Sequence, residues 1–285
     1  MKRYRRLATW TGAILGAFLA LLMNSALAHA QDDKQELVVD EFHQTYPLAV
    51  RGRIELENIN GAVHITAWDE NQVKVDAIKR ANDQEGLDNA EIQVEAHEDS
   101  ISIKTRYREH EGWGMHRNPA SVEYTLSVPR NARLDEIKLI NGALEISEVA
   151  GEVHASSING RLTAHGLAGQ ARLSTINGRL NADFSRLGAA RIDLASVNGG
   201  IELTLPSDAK ASIEANTVHG GIDNDFGLHT NRHHWVGRDL QGELGGGGAE
   251  ISLHNVNGRI DIHHASDGRS LSPAKDKGEH RQGSV

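Results

Sequence analysis

The chain has 285 residues, no cysteine, 29 glycines and five prolines, and its 39 acidic and 30 basic residues leave a net charge of −9. The lack of cysteine excludes disulfides, thiolate metal sites and a cysteine nucleophile. The acidic balance argues against nucleic-acid binding, and a 4% aromatic content means that any core must be built from Val, Ile, Leu and Ala.

Lys2, Arg3, Arg5 and Arg6 precede an uncharged, mostly apolar run from Gly12 to Met23, and Ala28-His29-Ala30 places small residues at the two positions a signal peptidase reads. This is the layout of a secretory signal peptide over residues 1–30. The run is shorter than the roughly 20 residues a membrane-spanning helix needs, so no span is expected after signal removal. Cleavage leaves 26 basic against 39 acidic residues, a net of −13. That charge favours solubility and repels anionic lipid. Export points to the periplasm or cell envelope.

Residues 31–48 read as a polar leader. From Arg53, Ile54 and Leu56 alternate with polar residues up to an Asn60-Gly61 turn, and Val63 and Ile65 continue to Trp68. Alternation of period two is the mark of a strand with one buried face. Val73-Lys74-Val75 reads as another strand, 81–90 as a loop or short helix, and Ile92, Val94, Ile101 and Ile103 as two strands around Glu98-Asp99-Ser100. Val122, Tyr124, Leu126 and Val128 alternate to a stop at Pro129.

Beyond residue 130 a beat sets in. Gly142, Gly151, Gly160, Gly169 and Gly178 fall nine residues apart, and every second one closes an Ile-Asn-Gly tripeptide at Asn141-Gly142, Asn159-Gly160 and Asn177-Gly178. Variants follow at Asn198-Gly199, His219-Gly220 and Asn257-Gly258. Asn-Gly tolerates the positive φ of a tight turn, so each pair separates two short strands. Two beats form an 18-residue unit that buries its apolar face only by stacking on its neighbours. The expected fold is therefore all-β: a stacked-strand β-solenoid with Leu144, Leu162 and Leu180 in one ladder and Val153 and Ala171 in the facing sheet. Asn141, Asn159 and Asn177 would bond between rungs at one corner, as structural turn residues. Residues 49–265 form the repeat domain, with 49–130 as its N-terminal part and 131–265 as the regular repeats. Glycine-dense 242–248 reads as a turn admitting a late coil, and polar 266–285 as a disordered tail.

The order of motifs resembles the bacterial putative-adhesin family, a β-strand repeat domain of unknown function. The motifs are the Asn-Gly strand pair ending in Ala67-Trp68-Asp69, the strand running to Lys79-Arg80-Ala81, Ile101–Tyr107, Val128-Pro129-Arg130, the serial Asn-Gly repeats, and Gly245–Leu253 followed by Asn255-Val256-Asn257-Gly258. The chain is similar also to the head domain of autotransporter adhesins. The resemblance covers about residues 40–265 and implies an exported β-solenoid with no established catalytic residues to transfer.

Candidate sites are sparse. His229, His233 and His234 beside Trp235 are weak metal candidates, since imidazoles suit Zn, Cu or Ni. Adjacent His233 and His234 would point oppositely in a strand and could not share one ion. His254, His263 and His264 surround the last Asn-Gly turn. Trp113 and Met115, between glycines in 110–119, form a possible recognition loop. Outward carboxylates Glu145, Glu152, Asp193 and Glu202 carry no pairing signature, nor do Glu250 and Asp261. No cofactor is expected. The resulting expectation is an exported, non-enzymatic, adhesin-like scaffold or binding module for an envelope protein or glycan. The alternatives are a carbohydrate-active β-helix enzyme (polysaccharide lyase or hydrolase) and a periplasmic metal-binding protein.

Overall fold

The computed structural model describes residues 37–108, 120–232 and 237–277. Residues 1–30, Trp113, Met115, His233 and His234 lie outside them. The strands are β1 (Val38–Pro47), β2 (Arg53–Asn60), β3 (Val63–Trp68), β4 (Gln72–Ala81), β5 (Ala90–Ala96), β6 (Ser100–Tyr107), β7 (Ser121–Pro129), β8 (Arg133–Asn141), β9 (Leu144–Ser147), β10 (Val153–Asn159) and β11 (Leu162–Leu167). They continue with β12 (Ala171–Asn177), β13 (Leu180–Phe184), β14 (Arg191–Asn198), β15 (Ile201–Leu205), β16 (Ala211–His219), β17 (Ile222–Asn224), β18 (Thr230–Arg232), β19 (Arg238–Leu244), β20 (Ala249–Asn257), β21 (Ile260–His264) and β22 (Ala274–Asp276). Among the described residues there is one short helix, α1 (Gln84–Asn89), which starts where the Asp83 carboxylate accepts from the Gly86 N–H at 2.8 Å. Among the described residues no helix is long and apolar enough to cross a membrane.

Among the described residues the strands form two large sheets and no closed barrel. One runs β1-β4-β7-β3-β9-β11-β13-β15-β21-β17, the other β18-β19-β16-β20-β14-β12-β10-β8-β2-β6-β5, with β22 also on β19. From β8 to β15 the chain alternates between them, and each strand pairs in parallel with its equivalent one unit later. Leu144, Leu162 and Leu180 fall in register, as do Val153 and Ala171. Their side chains are buried between the sheets. The Asn60 turn, isolated in sequence, joins this stack directly: β2 pairs with β8 and β3 with β9. The stack does not follow chain order at its far end. Strands β20 and β21 lie between β14–β15 and β16–β17.

Three details differ from the sequence reading. The stretch 31–48, read as a polar leader, contains β1, antiparallel to β4 along its whole length. Its half-buried residues are Val38, Phe42 and Tyr46, four apart, because Asp40 and Gln44 take the intervening inward positions. Hence no period-two signal. Residues 266–277 of the supposed disordered tail are held by backbone pairing of β22 with β19, a Ser272 N–H to Ser207 O bond of 2.9 Å, and Asp276 accepting from the His229 N–H at 2.9 Å. Such bonds need little apolar content.

The third difference is the role of the turn glycines. A positive φ accounts for Gly61 (121°) but not for Gly160 or Gly178, which lie outside the positive-φ region. The shared requirement is space. A Cβ on Gly142, Gly160, Gly178 or Gly199 would come within 1.8–2.1 Å of the carbonyl oxygen of the preceding turn glycine.

Candidate functional site

At the Asn-Gly corner two polar ladders run along the stack. On the outside, each asparagine amide donates to the side-chain oxygen of the previous one: Asn141 to Asn60, Asn159 to Asn141, Asn177 to Asn159, Asn198 to Asn177 and Asn257 to Asn198, all at 2.9 Å. His219 takes the place of asparagine beside Asn257. On the inside, the residue two before each asparagine is buried and mostly polar. Thr175 donates to Gly160 O (3.2 Å), Ser196 to Gly178 O (3.3 Å), Asn255 to Gly199 O (2.7 Å) and Thr217 to Gly258 O (3.1 Å). These bonds give each of these turn carbonyls a side-chain partner, whereas Ser157 Oγ at the same position has none. At the N-terminal end the same position, Asn58, donates to Val122 O at 2.8 Å and accepts from Thr105, whose hydroxyl also bonds Tyr124 OH at 2.8 Å. Burial holds the Tyr124 phenol well above the usual tyrosine range, against the Thr105 hydrogen bond.

This inner ladder has a consequence outside. Along these strands apolar residues point in and polar ones out until the last turn, where the pattern reverses. The inward residue there is Ser, Thr or Asn on every rung but the first, where it is Leu139; the next residue faces outward, and it is Ile or Val each time. Ile140, Ile158, Ile176, Val197, Val256 and Val218 succeed one another up the sheet, 38–44% exposed. At a strand spacing of about 4.8 Å the ladder is about 24 Å long. β-Branched side chains pack on their rung neighbours, which accounts for part of their burial. Beside them runs a shallow groove of about 500 Å³ whose outward residues Ser156, Ser174, Ala195, His254 and Asn216 are in register. Two residues back along the strands, outside the groove, the next outward row is His154, Arg172, Asp193, Ser252 and Glu214. There Asp193 accepts from Arg172 and Arg191, both at 3.2 Å. The groove is thus apolar along the ladder side, with small and polar residues on its floor and charged side chains on the same face beyond it. None of the six ladder residues stood out in the sequence as a site. Part of the signal was present: Ile158, Ile176 and Val197 each stand between a Ser or Thr and the turn asparagine.

The other sequence candidates do not converge. His229 takes part through its backbone N–H, and no set of three His, Asp or Glu residues among the described ones is placed to hold a metal. His254 lies on one sheet, 3.0 Å from Asn216, and His263 on the other, 2.8 Å from Asp225. His264 lies 3.3 Å from Ser207 Oγ. Glu145 is bonded to His64 at 3.1 Å and Glu152 to Gln170 at 2.8 Å. Glu250 and Asp261 lie on different sheets. Glu202, Asp261 and Asp223 do form a row. Burial raises the Asp261 pKa against the lowering by Arg259, and Asp223 and Glu202 raise it further.

No family model and no curated protein matches the chain. Among solved structures it is similar to a putative cell adhesion protein from Clostridium sporogenes, at 14% identity and a TM-score of 0.48, over 81% of this chain and 100% of that one. It is similar to a putative adhesin from Bacteroides fragilis, at 9% identity and a TM-score of 0.36, over 81% and 97% of the two chains. A putative adhesin from Parabacteroides merdae gives 10% identity and a TM-score of 0.29, over 82% and 98%.

Proposed function

We propose that the chain is an exported, non-enzymatic, adhesin-like binding module of the cell envelope. In this reading it is a β-solenoid whose ribbed face holds an extended segment of protein or glycan. The observation that carries the reading is the exposed Ile/Val ladder, where the inside-outside pattern reverses for a reason that explains the inner hydroxyls but leaves the outer apolar row available. The row is one side chain wide. A globular partner covers about 800 Å² on each side of a standard interface, whereas a linear chain lying along the stack needs only such a strip. Its apolar edge would rest on Ile158, Ile176 and Val197, and its polar edge would face Arg172 and Asp193. The basic start, apolar run and Ala28-His29-Ala30 support export.

The test is in-cell crosslinking and pull-down, with peptides and sugars both analysed, for the wild type and an Ile158→Thr, Ile176→Thr variant, which keeps the β-branch on both rungs. Loss of the captured polymer with an unchanged melting temperature is the expected result; undiminished capture would remove the ladder from the binding surface. The row Glu202, Asp261, Asp223 favours a second reading, a carbohydrate-active enzyme using Asp261, raised by burial, and a neighbouring carboxylate of the row as its acid–base pair. Release of reducing or unsaturated ends from envelope polysaccharide, abolished by Asp261→Asn, would replace the first reading with this one.

A further inference from the structure

The two sheets leave edges with very different defences. Strands β17, β18 and β22 are three residues long, too short to template another strand. Strand β5 is longer but carries Glu91 and Glu95. Two copies paired antiparallel about Gln93 would set each Glu91 against the partner's Glu95, a like-charge contact. Strand β1 has neither defence. It runs ten residues in unbroken register with β4, and its only proline is its last residue. Among the described residues no strand pairs with its outer edge.

The hydrogen-bonding parity of that edge follows from the contact next to it. Leu48 N donates to Asn71 O at 3.1 Å, in the same register as β1 on β4, so the even-numbered residues of β1 bond to β4. The N–H and C=O groups of Val39, Glu41, His43 and Thr45 therefore point away from the sheet. The inward charge that often guards an edge, Asp40, is neutralised by Lys79 at 2.6 Å. His43 is held in place by Asp76 at 2.7 Å.

We propose that two copies of this chain pair antiparallel along β1, about a two-fold axis at Phe42. This register sets Glu41 opposite the partner's His43, twice by symmetry, and Val39 opposite the partner's Thr45. It uses all four outward residues of each copy, for about eight backbone hydrogen bonds. Moving the axis by one residue sets the two His43 rings, or the two Glu41 carboxylates, against each other. The charges thus select one register, and they join one sheet of each copy into a continuous sheet.

The natural chain contains no cysteine, so engineered thiols report without background. Opposed Cα atoms in a hydrogen-bonded antiparallel pair lie about 5.5 Å apart, within the range a disulfide spans. The expected results are a dimer by sedimentation equilibrium at micromolar concentration, and a disulfide when Val39→Cys and Thr45→Cys chains are mixed but not in either alone. Thr45→Pro, which removes an outward N–H not used by β4, should give a monomer with an unchanged melting temperature. A monomer at every concentration, a dimer that survives Thr45→Pro with its melting temperature intact, or crosslinking of either single variant with itself would overturn the proposal.

Discussion

The glycine column makes a prediction whose sign is opposite to the usual one. In a position that alanine can adopt, Gly→Ala normally stabilises by about 0.4–1 kcal/mol through the unfolded chain. At Gly160 the added Cβ would lie 1.8 Å from Gly142 O and 2.7 Å from its carbonyl carbon, where real Cβ contacts stay beyond 3.0 Å. Relief requires the rungs to part by more than about 1 Å. The corner is tied by Gly142 N to Asn159 O and by Gly160 N to Asn177 O, both 3.0 Å, so parting breaks backbone bonds. One or two such bonds at about 1 kcal/mol each, with overpacking of about 1–3 kcal/mol, give a net destabilisation of about 3 kcal/mol. At about 2–4 °C per kcal/mol for a domain of this size, the melting temperature falls by about 6–12 °C. Gly188 is the control, since nothing lies within 4 Å of its Cβ position. Gly188→Ala should raise stability by about 0.5 kcal/mol. Urea and thermal unfolding of both variants decide the matter. A Gly160→Ala protein that melts with the wild type would mean that the turns can part freely and that close approach is not why glycine stands there.

Two further predictions concern the polar ladders. Asn159→Ala removes a donor to Asn141 and an acceptor for Asn177; with two exposed bonds lost, urea unfolding should give about 1–2 kcal/mol of destabilisation. Tyr124, whose folded pKa is raised by burial, contributes stability that is complete below its unfolded pKa of about 10 and is lost as pH rises through the folded value. Urea midpoints should therefore fall with pH above about 10 in the wild type and less steeply in Tyr124→Phe, which loses about 1 kcal/mol at neutral pH for its bond to Thr105.

Local spacing made the middle of the fold legible. Leucines 18 residues apart and an Asn-Gly at each corner point to equivalent strands side by side, and the registers of β9, β11 and β13 have that arrangement. What spacing could not encode was why glycine is needed, since a turn and a close stack demand the same residue. It also missed β1, whose inward Asp40 depends on Lys79, 39 residues further along the chain. The groove was half visible. The isoleucines of the tripeptides stand out in the sequence, but their outward direction follows only once Ser157, Thr175 and Ser196 are seen to face inward.

The position of the last coil was not legible for a more general reason: every rung carries the same signature, so any rung could sit beside any other. In an array laid down in chain order, removing the terminal repeat costs one terminal interface. Here β20–β21 fills an interior slot, with Ile251 between Ile192 and Ile213 and Ile260 between Ile201 and Ile222. Ile251, Leu253, Ile260 and Ile262 are each no more than 1% exposed. At about 1.5–3 kcal/mol per buried side chain their loss amounts to about 6–12 kcal/mol, comparable with the whole stability of a typical domain. A chain ending at Leu244 keeps most of the stacked strands, yet it should fail to give a cooperative melt and should be digested rapidly under native conditions. If it instead melts cooperatively near the wild-type temperature, the two halves of the slot close on each other. The C-terminal coil would then be an addition to the stack rather than the piece that completes it.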